Sequence, residues 1–305
     1  MSVKNLKIDK NNAGRRIDNY LFNIYKSIPK SKIYSMIRKG EVRVNSGRIK
    51  PIYKLQLDDE IRIPPYLIDF KNENSDLKIP LSRIQSFKSS IIDQNHNFIL
   101  VNKDPELSVH SGTNNQFGLI DIARATFPSL EIDLCHRIDK STSGCLLLSK
   151  NKNFLRHFHH QLKTNKVTKI YEAILVGVMN KDIKIESNID IATKEHHHKV
   201  IESSSGKKAV SRFKILKKYQ SFTHAEIHIS TGRMHQIRFQ SANINHPIVN
   251  DKKYGLFRLN KYIVKETSIN RLALHATSIS FEDLQGKTLG TMLQKIMNLI
   301  YCYLS

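Results

Sequence analysis

Residues 135–151 read CHRIDKSTSGCLLLSKN and place a polar loop directly before an apolar run in this 305-residue chain. Leu146, Leu147 and Leu148 follow one another, which is typical of a short buried strand. The loop in front of them carries one carboxylate, Asp139. An aspartate in a loop most often caps a turn. The rest of the chain must therefore show whether Asp139 is a candidate for chemistry.

Short apolar segments with the character of strands recur on both sides of this stretch. They are FILVNKD (98–104), KIYEAILVGV (169–178), SRFKILKKY (211–219) and HAEIHIS (224–230). LRHFHHQLKTN (155–165) has the character of a helix between them. Several long strands interrupted by a few helices predict an α+β domain over residues 89–305, built on a mixed, largely antiparallel sheet with flanking helices.

The N-terminal part of the chain predicts a smaller αα-β domain over residues 13–68. RRIDNYLFNIYKSIP (15–29) places its apolar residues on one helical stripe, and PKSKIYSMIRKGEVRVN (29–45) predicts a second helix that ends at Gly40. DEIRIPP (59–65) alternates as a strand does. Residues 69–88 are polar and weakly patterned, so we expect a linker there.

The formal net charge of +22 favours a polyanionic partner, nucleic acid before membrane. Basic residues are dense in the small domain, where they suggest a surface that follows phosphates; they are Arg15, Arg16, Lys30, Lys32, Arg38, Lys39, Arg43, Arg48, Lys50 and Lys54. Arg38, Lys39 and Arg43 are the RNA contacts that we predict from this set.

Cysteine and histidine usage points to a reduced protein without a metal. The three cysteines show no CxxC spacing, which favours a cytoplasmic location. The histidine runs at 157–160 and 196–198 lack companion ligands at metal spacing. No segment approaches the roughly 18 consecutive apolar residues of a membrane span, so we expect no membrane partner.

The polar loop and several later motifs resemble, in order, those of the RluA family of pseudouridine synthases. HRID-KSTSG-CLLL is similar to the catalytic signature of that family, and KIYEAILVG (169–177), TGRMHQIR (231–238), NHPIVNDKKYG (245–255) and RLALHA (271–276) continue the likeness. The small domain resembles the S4 RNA-binding domain. Together these resemblances span nearly the whole chain. They imply an enzyme that isomerises uridine in RNA to pseudouridine, without a cofactor.

The resemblance assigns the reaction to three residues. Asp139 corresponds to the carboxylate that acts as a nucleophile or as an ion-pairing group. Tyr171 is placed to move protons. Arg233, in the arginine motif, would keep the carboxylate of Asp139 ionised.

Three further residues are expected to bind the substrate. Arg137 corresponds to the family residue that fills the gap left by the extruded base. Ile237 would pack against the face of the uracil. His136 would support the loop that carries them.

The likeness of the small domain to one branch of the family implies 23S ribosomal RNA as the partner. No obligate protein partner is inferred, and a monomer is the default. Two alternatives stay open: a non-catalytic RNA-binding or ribosome-assembly protein of the same fold, and a pseudouridine synthase that acts on transfer RNA.

The sequence also departs from the family pattern in a few loops. Asp104 replaces a proline and Glu106 a glycine in NKDPELSVHSG (102–112). Gln240 stands in place of a histidine, and Asn245 and Asn250 stand in place of glycines. We expect these changes to alter loop geometry more than the reaction. The C-terminal LGTMLQKIMNLIYCYLS (289–305) predicts an amphipathic closing helix or a partly degraded end.

Overall fold

The computed structural model describes residues 4–25, 28, 30–65, 79–111, 117–194 and 197–292. The chain divides into two compact units, Met1–Lys78 and Ile79–Ser305. Each unit has its own cluster of buried apolar side chains. The closing helix expected near the C-terminus falls on residues 293–300, which lie outside the described residues.

The first unit packs two helices on a small sheet. The helices are α1 (Ile17–Ile24) and α2 (Lys30–Lys39). The sheet has the order β1–β3–β2, in which β1 is Lys4–Lys7, β2 is Arg43–Val44 and β3 is Glu60–Ile63. The pairings are antiparallel. This unit begins before residue 13, the expected start of the domain. Strand β1 belongs to it, because Leu6 pairs with Ile61 and packs on the core.

The end of α2 follows the sequence prediction. Gly40 comes directly after the last helical residue and has a φ of 73°, a left-handed conformation that costs glycine little. Its N–H donates to Ile37 O at 3.1 Å, and the next N–H, of Glu41, donates to Met36 O at 3.0 Å. The predicted C-terminal glycine of this helix is confirmed.

The second unit is built on one large sheet. Its helices are α3 (Leu81–Ser89), α4 (Leu119–Thr126), α5 (Lys152–Lys163), α6 (Gln236–Asn243) and α7 (Phe257–Thr267). Its strands are β4 (Ile91–Gln94), β5 (Phe98–Lys103), β6 (Asp133–Leu134), β7 (Ser143–Ser149), β8 (Thr168–Val176), β9 (Ile183–Lys194), β10 (His197–Glu202), β11 (Lys207–Lys218), β12 (Phe222–Ile229), β13 (Leu274–Glu282) and β14 (Thr288–Met292). Helix α3 occupies residues expected to be linker, because Phe87 on its inner face is buried in the core of this unit.

Among the described residues, eleven strands form this sheet. Their order is β10–β9–β11–β12–β8–β13–β7–β5–β4, with β14 paired to β13 and β6 paired to β7. Strands β7 and β13 are parallel, and every other pairing recorded among the described strands is antiparallel. The predicted α+β fold, with a mixed and largely antiparallel sheet, is confirmed.

The parallel contact between β7 and β13 depends on Gly144. This residue pairs with Ala276 and has a φ of 110°. A Cβ atom placed on it would lie 2.2 Å from the carbonyl oxygen of Ala276, which is far inside contact distance. The glycine in the polar loop motif therefore lets the strand after Asp139 approach the centre of the sheet.

Candidate active site

A cleft of about 1080 Å³ opens on the second unit. It is lined by the loop before β7, by β8, by β9 and by the start of α6. Asp139, Tyr171, Ile237 and Arg238 line it and are mostly buried. We call Asp139, Tyr171 and Arg238 the cleft floor, because they are ionisable side chains that line the cleft and are mostly buried.

Asp139 lies in the loop between β6 and β7 and keeps 18% of its side chain exposed. Its carbonyl oxygen accepts a hydrogen bond from Thr142 N at 3.2 Å, so the loop turns back at this residue. Its Oδ2 atom lies 3.3 Å from Nη1 of Arg238 and 3.9 Å from Nε2 of His235. The carboxylate is therefore held beside a guanidinium and can still meet a substrate.

Arg238 is itself fixed from behind by Asp251. Its Nε donates to Oδ2 of Asp251 at 2.8 Å and its Nη2 donates to Oδ1 at 2.9 Å, which leaves Nη1 for Asp139. Burial alone would lower the pKa of Arg238, but the hydrogen bonds and charges of both carboxylates raise it. The guanidinium is thus a permanent cation in one orientation.

Asp251 is fully buried and stays ionised for two reasons. Burial would raise its pKa, but Arg238 and the backbone N–H groups of Lys253 and Tyr254 lower it. The Tyr254 ring also lies 5.3 Å from the guanidinium carbon of Arg238. A carboxylate, a guanidinium and an aromatic ring together define where Nη1 points.

His235 precedes α6 and is bound to the same group of residues. Its Nδ1 lies 2.9 Å from the hydroxyl of Tyr254, and its backbone is left-handed with a φ of 52°. Burial lowers the pKa of His235, an effect that the charge of Asp139 partly opposes. His235 therefore faces Asp139 mainly as a neutral imidazole at pH 7.

Tyr171 lies on β8, where it is paired with Ile227 on one side and Ala276 on the other. The side chain is 7% exposed and lines the cleft. Burial, together with the negative charge of Asp139, raises the pKa of Tyr171 far above its usual range. The phenol therefore keeps its proton at neutral pH and can donate it.

Lys169 lies two residues before Tyr171 on the same face of β8 and also lines the cleft. The residue is 8% exposed. Burial, and then the nearby charge of Arg233, lowers the pKa of Lys169 to about 8. Lys169 was not among the predicted site residues, although the pattern K-x-Y already places both side chains on one face of the strand.

Arg233 does not reach Asp139 in the structure. Its Nε donates to the carbonyl oxygen of Lys208 at 3.1 Å, and it lines the outer part of the cleft. The expected ion pair with Asp139 is formed by Arg238 instead, so that part of the prediction is wrong. Arg233 precedes α6 in a loop, whereas Arg238 is inside the helix and points to Asp251. A buried arginine needs such an acidic partner.

Arg137 and Ile237 lie where a substrate would meet them. Both line the cleft, Arg137 as an exposed side chain and Ile237 with 5% exposure. Their predicted contacts with the extruded base and its neighbours stay predictions.

His136 supports the loop from below. Its Nε2 accepts a hydrogen bond from Leu147 N at 3.1 Å, and its ring stacks on Phe158 with 6.1 Å between the ring centres. Burial, and then the charge of Lys169, lowers the pKa of His136 to about 3. His136 is therefore a neutral side chain that fixes the loop to β7.

A buried lysine ties two loops together behind Asp139. Nζ of Lys103 donates to the carbonyl oxygens of Asp104, Leu107 and Lys140 at 2.7, 2.9 and 3.0 Å. Lys103 is 1% exposed, and burial lowers its pKa to about 8. Since Lys140 follows Asp139, this lysine fixes the backbone next to the carboxylate.

Ser143 anchors the C-terminal end of the same loop, where β7 begins. Its hydroxyl accepts a hydrogen bond from Nη2 of Arg271 at 2.6 Å and lies 2.8 Å from Nδ1 of His275. Burial lowers the pKa of His275 to about 4, so this imidazole is neutral and accepts the hydroxyl proton. Ser143 and His275 are buried, so we assign this serine–histidine pair to the support of the loop.

The residues that replace family glycines have left-handed backbones. The φ angles are 63° at Glu106, 63° at Asn245 and 59° at Asn250. Asparagine tolerates this conformation, whereas glutamate does so at a cost. Gln240, which stands in place of a histidine, donates to Ser187 Oγ at 2.9 Å. The effect of these replacements on loop geometry, expected from the sequence, stays a prediction.

The predicted RNA contacts of the first unit lie around the end of α2. Arg38 and Lys39 form its last turn and are exposed. Arg43 is partly engaged, because its Nε donates to Gly40 O at 3.0 Å. Two of the three predicted side chains are thus available to a polyanion.

The described residues hold neither a cluster of metal ligands nor a membrane-spanning helix. They contain no group of three or more histidine, cysteine or acidic residues that could hold a metal ion. No helix in the described ranges is long and apolar enough to cross a membrane.

Sequence comparison identifies the class of protein. The profile described as RNA pseudouridylate synthase matches residues 97–243, and that of the S4 domain matches residues 15–61. A curated relative from Haemophilus influenzae is 40% identical over 286 residues, which are 92% of this chain and 88% of the relative. The chain belongs to the family of RNA pseudouridine synthases, as the motifs predicted.

The names of the relatives are more specific. The Haemophilus influenzae protein is named ribosomal large subunit pseudouridine synthase C. The same name is carried by a protein from Buchnera aphidicola subsp. Baizongia pistaciae, which is 38% identical over 279 residues, or 90% of this chain and 88% of the relative.

Solved structures support the fold of the larger unit. Human RNA pseudouridylate synthase domain containing 4 superimposes with a TM-score of 0.59 at 22% identity, over 72% of this chain and 93% of that one. Human RNA pseudouridylate synthase domain containing 1 gives 0.55 at 23% identity, over 70% and 93%.

Proposed function

We propose that this enzyme isomerises specific uridines of large-subunit (23S) ribosomal RNA to pseudouridine, with Asp139 as the reacting carboxylate. The observation that carries the proposal is the ion pair of Asp139 with Arg238 at the floor of a cleft large enough for a nucleoside. The names of the relatives support the choice of RNA. This substrate implies work in the cytoplasm, and no protein partner is required.

The reaction is an isomerisation, so each bond that breaks is matched by one that forms within the same nucleotide. The bond from the sugar C1′ to N1 of uracil breaks, the base turns, and C1′ bonds to C5. The proton on C5 leaves, and N1 gains one. Asp139 either attacks C1′ or attacks carbon six of the base, and in both cases it acts as an anion. Arg238 keeps it anionic and limits its rotation.

Tyr171 is proposed as the group that moves protons. It is a neutral phenol and so carries a proton that N1 can gain, and the phenolate left behind, whose pKa burial raises, can accept the proton that leaves C5. A hydroxyl beside the carboxylate can pass a proton on as the base turns.

The mouth of the cleft suits the backbone around an extruded base. The exposed side chains of Arg137 and Arg233 line it, and Lys169 lies deeper in the cleft with 8% exposure. A uridine in folded RNA must leave its stack to reach Asp139. We propose that Arg137 occupies the space it leaves and that Ile237 packs on the uracil.

Mapping of pseudouridine on unmodified large-subunit ribosomal RNA tests the proposal. The RNA is incubated with the protein, then labelled with a carbodiimide and read by primer extension. We expect new stops with the wild type and none with Asp139→Asn, which keeps the shape of the side chain without its charge. Asp93→Asn, a change of the same kind at an exposed position on β4, is the control and is expected to retain the stops.

The alternatives give different results in the same experiment. Stops on transfer RNA but none on ribosomal RNA would replace the substrate. Tight RNA binding without stops on either RNA would indicate a binding protein that has lost turnover. Stops with Asp139→Asn at the wild-type rate would remove the carboxylate from the mechanism.

A further inference from the structure

Helix α7 carries two aromatic side chains that the core does not use. No residue of this helix is fully buried. Phe257 is 80% exposed and Tyr262 is 62% exposed. They are exposed, whereas Leu259 and Ile263 on the inner side of the helix are partly buried. Two exposed aromatic rings on one helix offer flat apolar surfaces on which a partner can stack.

The same side of the helix is basic. Arg258, Lys261 and Lys265 are exposed and alternate with the two aromatic residues. Within the described part of the chain, none of the three forms an ion pair with a carboxylate. Glu266 is the single acidic residue of α7. The five residues Phe257, Arg258, Lys261, Tyr262 and Lys265 are called the α7 face.

The inner side of helix α7 is connected to the cleft floor by direct contacts. Asn260, on the inner side of α7, accepts a hydrogen bond from Asn250 N at 2.9 Å and donates to Asp251 O at 3.0 Å. Asp251 holds Arg238, which holds Asp139. Phe257 follows Tyr254 by three residues, so their Cα atoms are at most about 11 Å apart.

Charge decides what the partner is. The cations of the α7 face suit an anionic partner. The chain as a whole carries +22, and the anion that it is proposed to act on is RNA. Aromatic rings between cations are the usual platform for single-stranded nucleic acid, because bases stack on the rings while phosphates meet the cations.

We propose that the α7 face binds the single-stranded RNA next to the target uridine, with Phe257 and Tyr262 stacked on bases and Arg258, Lys261 and Lys265 near phosphates. This inference rests on the proposed function, since it takes RNA as the substrate. It assigns the helix a role in holding the flanking strand while the uridine lies at Asp139.

The protein contains no tryptophan, which allows a direct test. Phe257→Trp introduces a single fluorescent ring into the full chain. The probe is an unmodified large-subunit ribosomal RNA fragment that contains a mapped site, or a transcript of the whole RNA if no site is mapped. We expect saturable quenching on titration, and none with Leu81→Trp, which replaces a residue of α3 that is 76% exposed.

Alanine variants give the energetic test. Phe257→Ala with Tyr262→Ala should raise the Kd for the same RNA about 30-fold, whereas Leu81→Ala should leave it unchanged. Replacing Arg258, Lys261 and Lys265 by alanine should reduce the salt slope of log K by about 2. Size-exclusion chromatography of the wild type and the aromatic double variant runs in parallel.

Failure of the inference and failure of the proposed function can be told apart. Active wild type, no quenching of Phe257→Trp and an unchanged Kd of the double variant would overturn the inference alone. A wild-type dimer that the double variant abolishes would assign the face to a second copy and would also overturn it. Quenching of Phe257→Trp by RNA, together with a wild type that makes no pseudouridine, would support RNA binding by the α7 face and refute the proposed function.

Discussion

At the level of residues, Arg238 binds two carboxylates at the same time. Its three nitrogens divide between a buried carboxylate behind it and Asp139 in front of it. The planar guanidinium fixes the angle between the two contacts, which a lysine ammonium cannot reproduce. The orientation of Asp139 is therefore set before RNA arrives.

We predict that Arg238→Lys lowers the turnover number about 100-fold, because the ammonium cannot serve Asp251 and Asp139 together. Arg233→Lys should raise the KM and retain turnover at saturating RNA, since Arg233 contacts a backbone carbonyl. Steady-state kinetics on one RNA fragment, with circular dichroism to confirm folding, compare the two variants. Equal losses of turnover, or the larger loss with Arg233→Lys, would contradict the assignment.

Lys103 makes stability depend on pH in a specific direction. Its pKa falls from 10.5 to about 8 on folding, so the unfolded state binds more protons between these values. The free energy of unfolding should therefore carry a penalty below pH 8 that disappears as pH rises. From pH 7.5 to 9.5, we expect the wild type to gain about 2 kcal/mol relative to Lys103→Met.

Urea denaturation at both values of pH measures this gain. The Met variant is the reference because it keeps the length of the side chain and removes only the titrating group. A constant difference between the two proteins would show that Lys103 does not titrate in this range.

At the level of elements, the loop that carries Asp139 is held at two points that follow the carboxylate. Lys103 fixes the backbone after Asp139, and Ser143 is fixed to Arg271 and His275 at the start of β7. Strand β7 then enters the middle of the sheet, parallel to β13. The carboxylate thus lies in the loop directly before a central strand of the sheet.

We predict that Gly144→Ala lowers the free energy of unfolding by about 3 kcal/mol or more, because the new Cβ meets a carbonyl oxygen and the φ is left-handed. Gly290→Ala is the matched control. Its Cβ would find its nearest neighbour at 3.6 Å, so we expect a small effect. Chemical denaturation of both variants tests the difference, which similar losses would refute.

The sequence allowed some of these elements to be predicted and concealed others. The strands at 98–104 and 145–151 were evident because continuous apolar runs mark central strands. Strand β9 is absent from the predicted strands, although Ile183, Ile185, Ile189 and Ile191 alternate along it. Charged and polar residues stand between these isoleucines, so the segment contains no continuous apolar run.

The partner of Asp139 could not be read from the sequence in the same way. TGRMHQIR offers two arginines, and the choice depends on where α6 begins and on Asp251, which lies 13 residues beyond Arg238. The left-handed residues are similar, since Glu106 gives no local sign of its positive φ. Such features arise from packing between distant segments.

At the level of the whole molecule, we propose that both units take part in RNA recognition. The first carries exposed cations on α2, and the second carries the cleft. The sequence predicts two units, because each part has its own apolar pattern and its own family motifs. The boundary between the compact units lies at residue 79 and not at residue 89, because α3 packs on the second core.

We predict that Arg38→Ala with Lys39→Ala reduces the salt slope of log K for ribosomal RNA by about 1.5 to 2, because two phosphate contacts are lost. Arg83→Ala with Lys88→Ala removes the same charge from exposed positions of α3 and should change the slope less. Filter binding across a range of salt concentrations gives both slopes. Equal changes would mean that α2 acts only through net charge.

The charges at the cleft floor have an effect on which part of RNA can enter. The carboxylate of Asp139 lies at the floor, whereas the exposed side chains of Arg137 and Arg233 line the cleft further out. A phosphate is therefore attracted to these outer cations and meets an anion at Asp139. An uncharged uracil with its sugar meets no repulsion at that point. Charge thus favours entry of the base with its phosphates outside, before any hydrogen bond reads the base.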